Sequence, residues 1–419
     1  MTSTAEAQTL LMQLLDPSTR ANPYPLYEQL REYGPLHMPE TRLTVFSSFS
    51  HCDEVLRHPA SASDSMKSSV VQEQIANGAA VRPLGPPGFL FLDPPDHTRL
   101  RGLVSKAFVP RVVNALEPDI TAMVDGLLDA VAPRGTLDAI ADLAYPLPVA
   151  VICRLLGVPI EDEPQFSQAS ALLAQNLDPF MTLTGEASDG AERRLEAGRW
   201  LREYLHGLID LRRGAPREDL ISGLIAAEEG GDQLTEDEIV ATCNLLLIAG
   251  HETTVNLIAN AMLAMLREPS QWRALSADPG RVGAVVEETM RYDPPVQLVM
   301  RIADEDMTIG GSAGGQERSD RGVVTVAKGD SMLLLIAAGH HDPAVAERAA
   351  EFDPDRKAIR HLGFGKGRHF CLGAPLARLE ASVALSAVTA RFPNARLAGE
   401  PVYKPNVTLR GLASLPVAL

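Results

Sequence analysis

The chain has 419 residues, with 38 basic against 54 acidic side chains and a formal net charge of −16. Apolar residues at 45% and charged residues at 22% exclude disorder, and 32 Gly with 31 Pro fall short of a low-complexity or collagen-like composition. The acidic excess argues against general binding to nucleic acid or anionic membrane, since both need a net basic face.

The N-terminal stretch MTSTAEAQTLLMQLLDPSTRANPYP has a short apolar core, with no basic region before it and no A-x-A site after it, so no signal peptide or membrane anchor fits. NPYPLYEQL, from Asn22 to Leu30, predicts a short helix, and Leu43 to Phe49 has strand character. From about Pro110 to Leu266 apolar residues recur with helical period, as in VVNALEPDITAMVDGLLDAV and LEAGRWLREYLHGLIDLRR. Within that span, Thr235 and Glu238 have capping-box spacing. The helix they open runs to about Glu268, before Pro269, which is roughly 34 residues or about 50 Å. A helix so long and apolar belongs in the middle of the body. Its centre nevertheless holds Gly250, His251, Glu252, Thr253 and Thr254, poor helix chemistry where packing should be best, and such a break marks a functional site.

Strand patterns return at Val323–Val326 and Met332–Ile336, and Val402 to Leu419 reads as strand and loop. The expected fold is mainly α with small β-sheets, a single domain over 1–419, and an alternating αβ parallel sheet does not fit. Four cysteines, Cys52, Cys153, Cys243 and Cys371, lie far apart without a CxxC pair. That excludes a disulfide scaffold and a zinc ribbon and suits a reducing compartment, so a cytoplasmic protein is expected.

Cys371 sits in Phe364-Gly365-Lys366-Gly367-Arg368-His369-Phe370-Cys371-Leu372-Gly373. The glycines permit a tight turn whose amides face the sulfur, and a helix starts directly behind it. A helix N-terminus and nearby cations favour thiolate. Three readings stand side by side: a buried inert cysteine, a nucleophile paired with His369, and a thiolate metal ligand shielded by the loop.

This FGxGxHxCxG string resembles the haem-binding loop of the cytochrome P-450 family of haem-thiolate monooxygenases. The resemblance implies haem b as cofactor, with Cys371 as its axial thiolate and Phe364, Gly365, His369 and Gly373 forming the loop around it. Ala249-Gly250-His251-Glu252-Thr253 is similar to the family's A/G-G-x-D/E-T motif. By that likeness Ala249 and Gly250 lie against the haem, and Glu252 and Thr253 are the acid–alcohol pair that delivers protons during dioxygen activation. Glu288 and Arg291 match E-x-x-R, and Arg356 in FDPDR supplies a second arginine to a structural ion network. His97 and Arg101 in DPPDHTRLR, Arg301 and His369 match positions that bind the haem propionates, and Asp96 is positioned to cap the helix that carries the first two.

Family order holds along nearly the whole chain, with two departures. Gly339-His340-His341-Asp342-Pro343 stands where Ala-Asn-Arg-Asp-Pro is usual, and Gly310 to Gly322 is longer than the usual hairpin turn and reads as a surface loop. The resemblance implies electrons from ferredoxin and a ferredoxin reductase, because the chain has no flavin or nicotinamide fingerprint. Lys366, Arg368 and Lys106 are the expected docking charges. Leu246, Ala249, Val296, Val299 and residues between about Met66 and Leu92 should wall an apolar pocket for a hydrophobic substrate. His251 faces either that pocket or a neighbouring helix, and a monomer without a membrane anchor is expected. Three other readings remain: a peroxide-driven enzyme, a haem-based gas sensor and a non-catalytic activator of a partner enzyme. The intact Glu252–Thr253 pair disfavours the first, and Cys371 disfavours the last.

Overall fold

A computed structural model of the chain describes residues 4–78, 85–179, 183, 190–229, 234–311 and 322–419, with residues 4, 5, 229 and 251 described by backbone alone. The side chain of His251, most of the 310–322 loop and residues 79–84 of the expected pocket wall therefore lie outside the described residues. Helices dominate. Helices α1 (Asp96–Ser105) and α2 (Pro146–Leu156) precede the longest one, α3 (Glu236–Arg267), and α4 (Val282–Tyr292) and α5 (Ala374–Arg391) follow it.

Helix α3 has the start that its sequence encodes. The Thr235 hydroxyl accepts from the Glu238 amide, and the Glu238 carboxylate accepts from the Thr235 amide at 2.8 Å. From Val255 to Met262 every residue is buried, so this half of the helix is enclosed on all sides by α2, α4, α5 and their neighbours. No helix among the described residues is long and apolar enough to cross a membrane.

A five-stranded mixed sheet packs beside this helical body. Its strands are β1 (Leu36–Met38), β2 (Leu43–Phe46), β3 (Ser61–Ala62), β4 (Leu298–Ala303) and β5 (Ser331–Leu335), in the order β1-β2-β5-β4-β3. Only β2 and β5 run parallel. Side-chain alternation gives the sheet two apolar faces. Leu298, Leu333 and Leu335 pack with Tyr27 and Leu30, while Phe46, Met332 and Leu334 pack with Phe49, Val55 and Leu362. Val299 packs on the second face, and Arg301, two residues on, projects from that same side.

Two local expectations are corrected. The strand from Leu43 stops at Phe46 and does not reach Phe49, because the Ser48 side chain accepts from the His51 amide and caps a helix over Phe49–Arg57. Asp96 does not cap α1: it lies within the first turn and its carboxylate takes Arg99 at 3.4 Å.

Near the C-terminus, β6 (Val402–Tyr403) and β7 (Leu412–Ser414) pair antiparallel, and the segment between them lies against α3 and Pro294–Gln297. The Gln297 amide donates to the Thr408 carbonyl at 2.9 Å, the Arg410 amide to the Pro295 carbonyl at 2.8 Å, and Val296 bridges Leu409.

Candidate functional site

The loop before α5 is folded around Cys371. Its amide donates to the Phe364 carbonyl at 2.8 Å, and the Gly365 amide donates to Leu362 at 2.7 Å. Gly365 and Gly367 both have positive φ, and a Cβ on Gly367 would meet the Leu56 carbonyl oxygen at 2.6 Å, so the second glycine is needed on two counts. Burial pushes the Cys371 thiol up, against the pull of the Gly373 and Ala374 amides and of Arg101 and Arg378. Helix start and cations do act on the sulfur, and burial acts against them. The Phe364 ring lies under the Arg378 guanidinium at 4.4 Å.

Facing this loop is a concentration of unmatched basic groups. His97 and His369 approach with ring centroids 4.3 Å apart, and neither nitrogen of either ring has a hydrogen-bond partner although both residues are buried. Arg101 donates to the Phe370 carbonyl at 2.6 Å, on the loop itself. Arg301 has its own Met300 carbonyl as acceptor at 2.8 Å, and burial lowers its pKa to about 10. Burial also lowers His97 to about 4, with His369, Arg101 and Arg368 adding repulsion. Among the described residues, the carboxylate found with them is Asp93. It accepts from the Ser63 and Asp64 amides and from Lys67 at 3.2 Å, and it stands 3.9 Å from His369, beyond hydrogen-bond reach. Buried hydrogen-bonding groups without partners are costly unless a ligand completes them. A group carrying two carboxylates, as haem does, fits this donor set. Asp93 was not singled out from the sequence, although it opens the DPPDHTRLR string.

On α3, Ala249 is exposed and Gly250 and Thr253 are half-buried, in the middle of a helix that is otherwise enclosed. The helix is unbroken there: the Thr253 hydroxyl donates to the Ala249 carbonyl at 2.9 Å and that of Thr254 to Gly250 at 3.3 Å. A Cβ on Gly250 would lie 2.9 Å from Ile152 Cδ1, so close packing with α2 already requires this glycine. Glu252 is buried and turned the other way, accepting from Lys404 Nζ at 2.7 Å. Thus the acid and alcohol are neighbours in sequence but engage different surroundings. Nothing in the sequence pointed to Lys404, which is 152 residues away. Leu246 is buried, Val296 and Val299 are half-buried, and Leu409 joins Val296 through the C-terminal segment. Gly88 lies so close to Leu245 that a Cβ would meet Leu245 Cβ at 2.7 Å, which puts the segment after residue 85 over α3.

Behind the loop, Glu288, Arg291 and Arg356 meet in a closed network. Glu288 accepts from Arg291 Nε at 2.8 Å and Nη2 at 2.7 Å, from Arg356 Nε at 3.0 Å and from the Asp353 amide at 2.9 Å. Arg291 also donates to the carbonyls of His340, Ala349 and Glu351. The two unusual histidines close the arrangement. His340 Nε2 accepts the Leu362 amide at 2.7 Å, while His341 donates to the Tyr292 carbonyl at 2.7 Å and stacks on Tyr24. Beside the loop a hollow of about 340 Å³ is lined by Arg57, Arg360, Lys366 and Arg378 together with Asp53 and Glu287, which pair with Arg57 and Arg378. Lys106 and Arg368 are exposed, and Arg368 donates to the Pro59 carbonyl at 2.7 Å.

Comparison with known proteins agrees with this geometry. The sequence pattern of the family described as Cytochrome P450 matches residues 9–278 and 281–407. Vitamin D(3) 25-hydroxylase of Pseudonocardia autotrophica is 37% identical over 406 residues, 95% of this chain and 94% of that protein. The cytochrome P450 monooxygenase PikC of Streptomyces venezuelae is 37% identical over 426 residues, 99% and 95% of the two chains. Among solved structures, ligand-free CYP164A2 of Mycobacterium smegmatis superposes with a TM-score of 0.92 at 66% identity, covering 98% of this chain and all of that one. The same protein with econazole bound gives 0.91.

Proposed function

The chain belongs to the cytochrome P450 family, whose cofactor is haem and whose members are monooxygenases, and from that premise we propose that it oxidises a hydrophobic small molecule with electrons from a ferredoxin and its reductase. One observation carries the assignment of the site: the basic side chains His97, Arg101, Arg301 and His369, with no hydrogen-bond partner for either histidine ring, gather beside the loop that holds Cys371. In this reading Cys371 Sγ holds the haem iron and the four cations hold the propionates. Phe364, Gly365 and Gly373 shape the loop, and Ala249 and Gly250 present a flat helix surface to the cofactor. When bound, the haem supplies dioxygen activation with a thiolate ligand.

The chain's own residues then divide the work. Glu252, held by Lys404, is the acid of the pair, and the Thr253 hydroxyl, kept in place by the Ala249 carbonyl, positions hydrogen bonds on the open side of α3. Leu246, Ala249, Val296 and Val299, with Leu409 added, wall a pocket that binds by burial and excludes water. An apolar azole such as the econazole bound by the M. smegmatis relative is a suitable probe of it. The enzyme acts in the cytoplasm as a monomer. Ferredoxin docks over the cysteine side of the haem, where Lys366, Arg368 and Lys106 attract an acidic partner. Reduction by ferredoxin should slow with rising salt and with Lys366→Glu or Arg368→Glu; insensitivity to all three would remove that partner.

The deciding experiment is the absorption spectrum of the reduced, CO-bound protein, for wild type and Cys371→His. Thiolate ligation predicts the long-wavelength Soret band in wild type and its loss in the variant, after which spin-state shifts can be used to screen substrates. An unchanged spectrum in Cys371→His would end the assignment.

A further inference from the structure

Of the two departures from the family pattern, the pair His340-His341, standing where Asn-Arg is usual, lies within the described residues. His341 has ordinary partners, the Tyr292 carbonyl and the Tyr24 ring. His340 does not. It ends the short helix Ile336–His340 that follows β5, it is buried, and its Nδ1 has no hydrogen-bond partner. Its Nε2 lies 2.7 Å from the Leu362 amide, which can only donate, so Nε2 is the bare nitrogen and Nδ1 carries the proton. Burial, with repulsion from His361, His341 and Arg291, lowers the pKa of His340 well below that of a free imidazole, so the ring stays neutral and Nε2 stays an acceptor. A buried donor is thus left unpaired so that the opposite nitrogen can take one backbone amide. Such a cost in a native core calls for a reason.

That amide opens the cysteine loop. The Leu362 side chain packs on the second face of the sheet with Phe46, Met332 and Leu334, and its carbonyl accepts the Gly365 amide at 2.7 Å. The turn so closed presents the Phe364 carbonyl, which accepts the Cys371 amide at 2.8 Å. On its other side His340 joins the closed network: its carbonyl accepts from Arg291 Nη1 at 3.3 Å, and Arg291 is held by Glu288. A continuous run of contacts therefore leads from Glu288 through Arg291, His340 and Leu362 to Gly365. Glu287, the neighbour of Glu288 on α4, takes hold of the same turn by another route. It accepts from His361 Nε2 at 2.8 Å and from Arg378 Nε at 2.5 Å, and His361 Nδ1 accepts the Gly363 amide at 3.2 Å. Two successive amides, those of Leu362 and Gly363, end on imidazole nitrogens, and of the two rings His340 is the one that reaches in from outside the loop.

We propose that His340 is the positioning residue that ties the cysteine loop to the Glu288 network, its Nε2 acceptor keeping the Cys371 sulfur in ligating position. Without the acceptor the Leu362 amide is stranded, the Leu362–Gly365 turn opens to find water, and the Phe364 carbonyl no longer holds the Cys371 amide. The inference rests on the reading of Cys371 as the haem ligand. A histidine that merely filled space could be replaced by Leu as well as by Gln. One that accepts through Nε2 can be replaced by Gln, whose amide oxygen stands as many bonds from Cα, and not by Leu.

The test compares His340→Leu and His340→Gln with wild type. Leu11→Ala, a core deletion in the cluster with Tyr27 and Leu30 that holds no residue of the loop, controls for lost stability alone. The first readout is hydrogen exchange of the Leu362 amide in the haem-free protein, relative to the amides of β5. The second, in the haem-loaded protein, is the rate at which the long-wavelength Soret band of the reduced, CO-bound form is lost in mild denaturant. For His340→Leu the expected result is roughly tenfold faster relative exchange at Leu362 and several-fold faster loss of the band. His340→Gln should stay near wild type on both, and Leu11→Ala should leave the relative exchange unchanged. An unchanged Leu362 amide in His340→Leu, or a His340→Gln protein no better than His340→Leu, would overturn the proposal. Should His340→Leu fail to fold, the NMR nitrogen shifts of His340 in the wild type decide: a proton on Nδ1 with Nε2 bare is expected, and the opposite tautomer or a doubly protonated ring would end the assignment. A wild-type protein lacking the long-wavelength band would instead remove Cys371 as the ligand, while the exchange result at Leu362 would stand.

Discussion

Two groups of buried charge flank the cysteine loop, and they are built on opposite rules. Behind the loop, the Glu288 carboxylate receives two arginines and a backbone amide, and Arg291 spends its remaining donors on three carbonyls. In front of it, His97 and His369 have no hydrogen-bond partner for any ring nitrogen, and the hydrogen bond of Arg301 goes to the carbonyl next to it in the chain. A network that closes on itself is scaffolding, since nothing in it is left to bind. A buried set of hydrogen-bonding groups left open is a demand for a ligand that completes it. The difference between scaffold and site is therefore visible in hydrogen-bond accounting before any cofactor is considered.

The sharpest way to break the closed group is Glu288→Ala. Both arginines would remain buried without their carboxylate, and losing one partner of a buried pair costs about 3–5 kcal/mol. Denaturant unfolding of the variant should show that loss with or without haem. A midpoint near that of wild type would mean the network is not structural.

Glu380 is the exception that sharpens the comparison. It lies on α5, buried behind the loop, with one carboxylate oxygen unpartnered, and burial alone pushes its pKa up to about 8. Its folded value is above its unfolded one, so the folded protein binds the extra proton and stability falls as pH rises from about 4.5 to about 8. Glu380→Gln, which keeps the shape and cannot ionise, should flatten that fall and be the more stable protein at pH 8, by a few kcal/mol at most. Parallel stability–pH curves for the two proteins would show that Glu380 is paired in solution.

Much of the fold could be read from the chain because its signals are local. Thr235 and Glu238 sit three apart, so the start of α3 needed no tertiary knowledge, and a glycine-rich string around one cysteine is legible as a loop. The partners of those elements were not legible. Lys404 meets Glu252 across 152 residues, and Asp93 meets His369 from the far side of the sequence. No spacing rule links such positions; only the folded path does. Gly250 shows the same limit at shorter range. Its place in the helix was evident, but close approach by Ile152 is a fact of how α2 crosses α3. The end of β2 also turned on one capping serine, Ser48, which outcompeted a continuing strand pattern.

The smallest effect separates the two groups most cleanly, because its sign depends on the ligand. Arg301 is a buried cation that the haem-free protein does not neutralise, so replacing it there relieves a cost. Arg301→Leu should therefore leave unfolding of the haem-free protein unchanged or shifted slightly upward. In the loaded protein the same change removes a propionate partner, and haem loss to an acceptor protein should be roughly tenfold faster, worth about 1.4 kcal/mol if it appears in the affinity. Glu288→Ala admits no such reversal, since its arginines are stranded in both states. If Arg301→Leu destabilised the haem-free protein as much as the loaded one, Arg301 would belong with the scaffold. The open cluster would then shrink to His97, Arg101 and His369, and the match to two carboxylates would rest on those three alone.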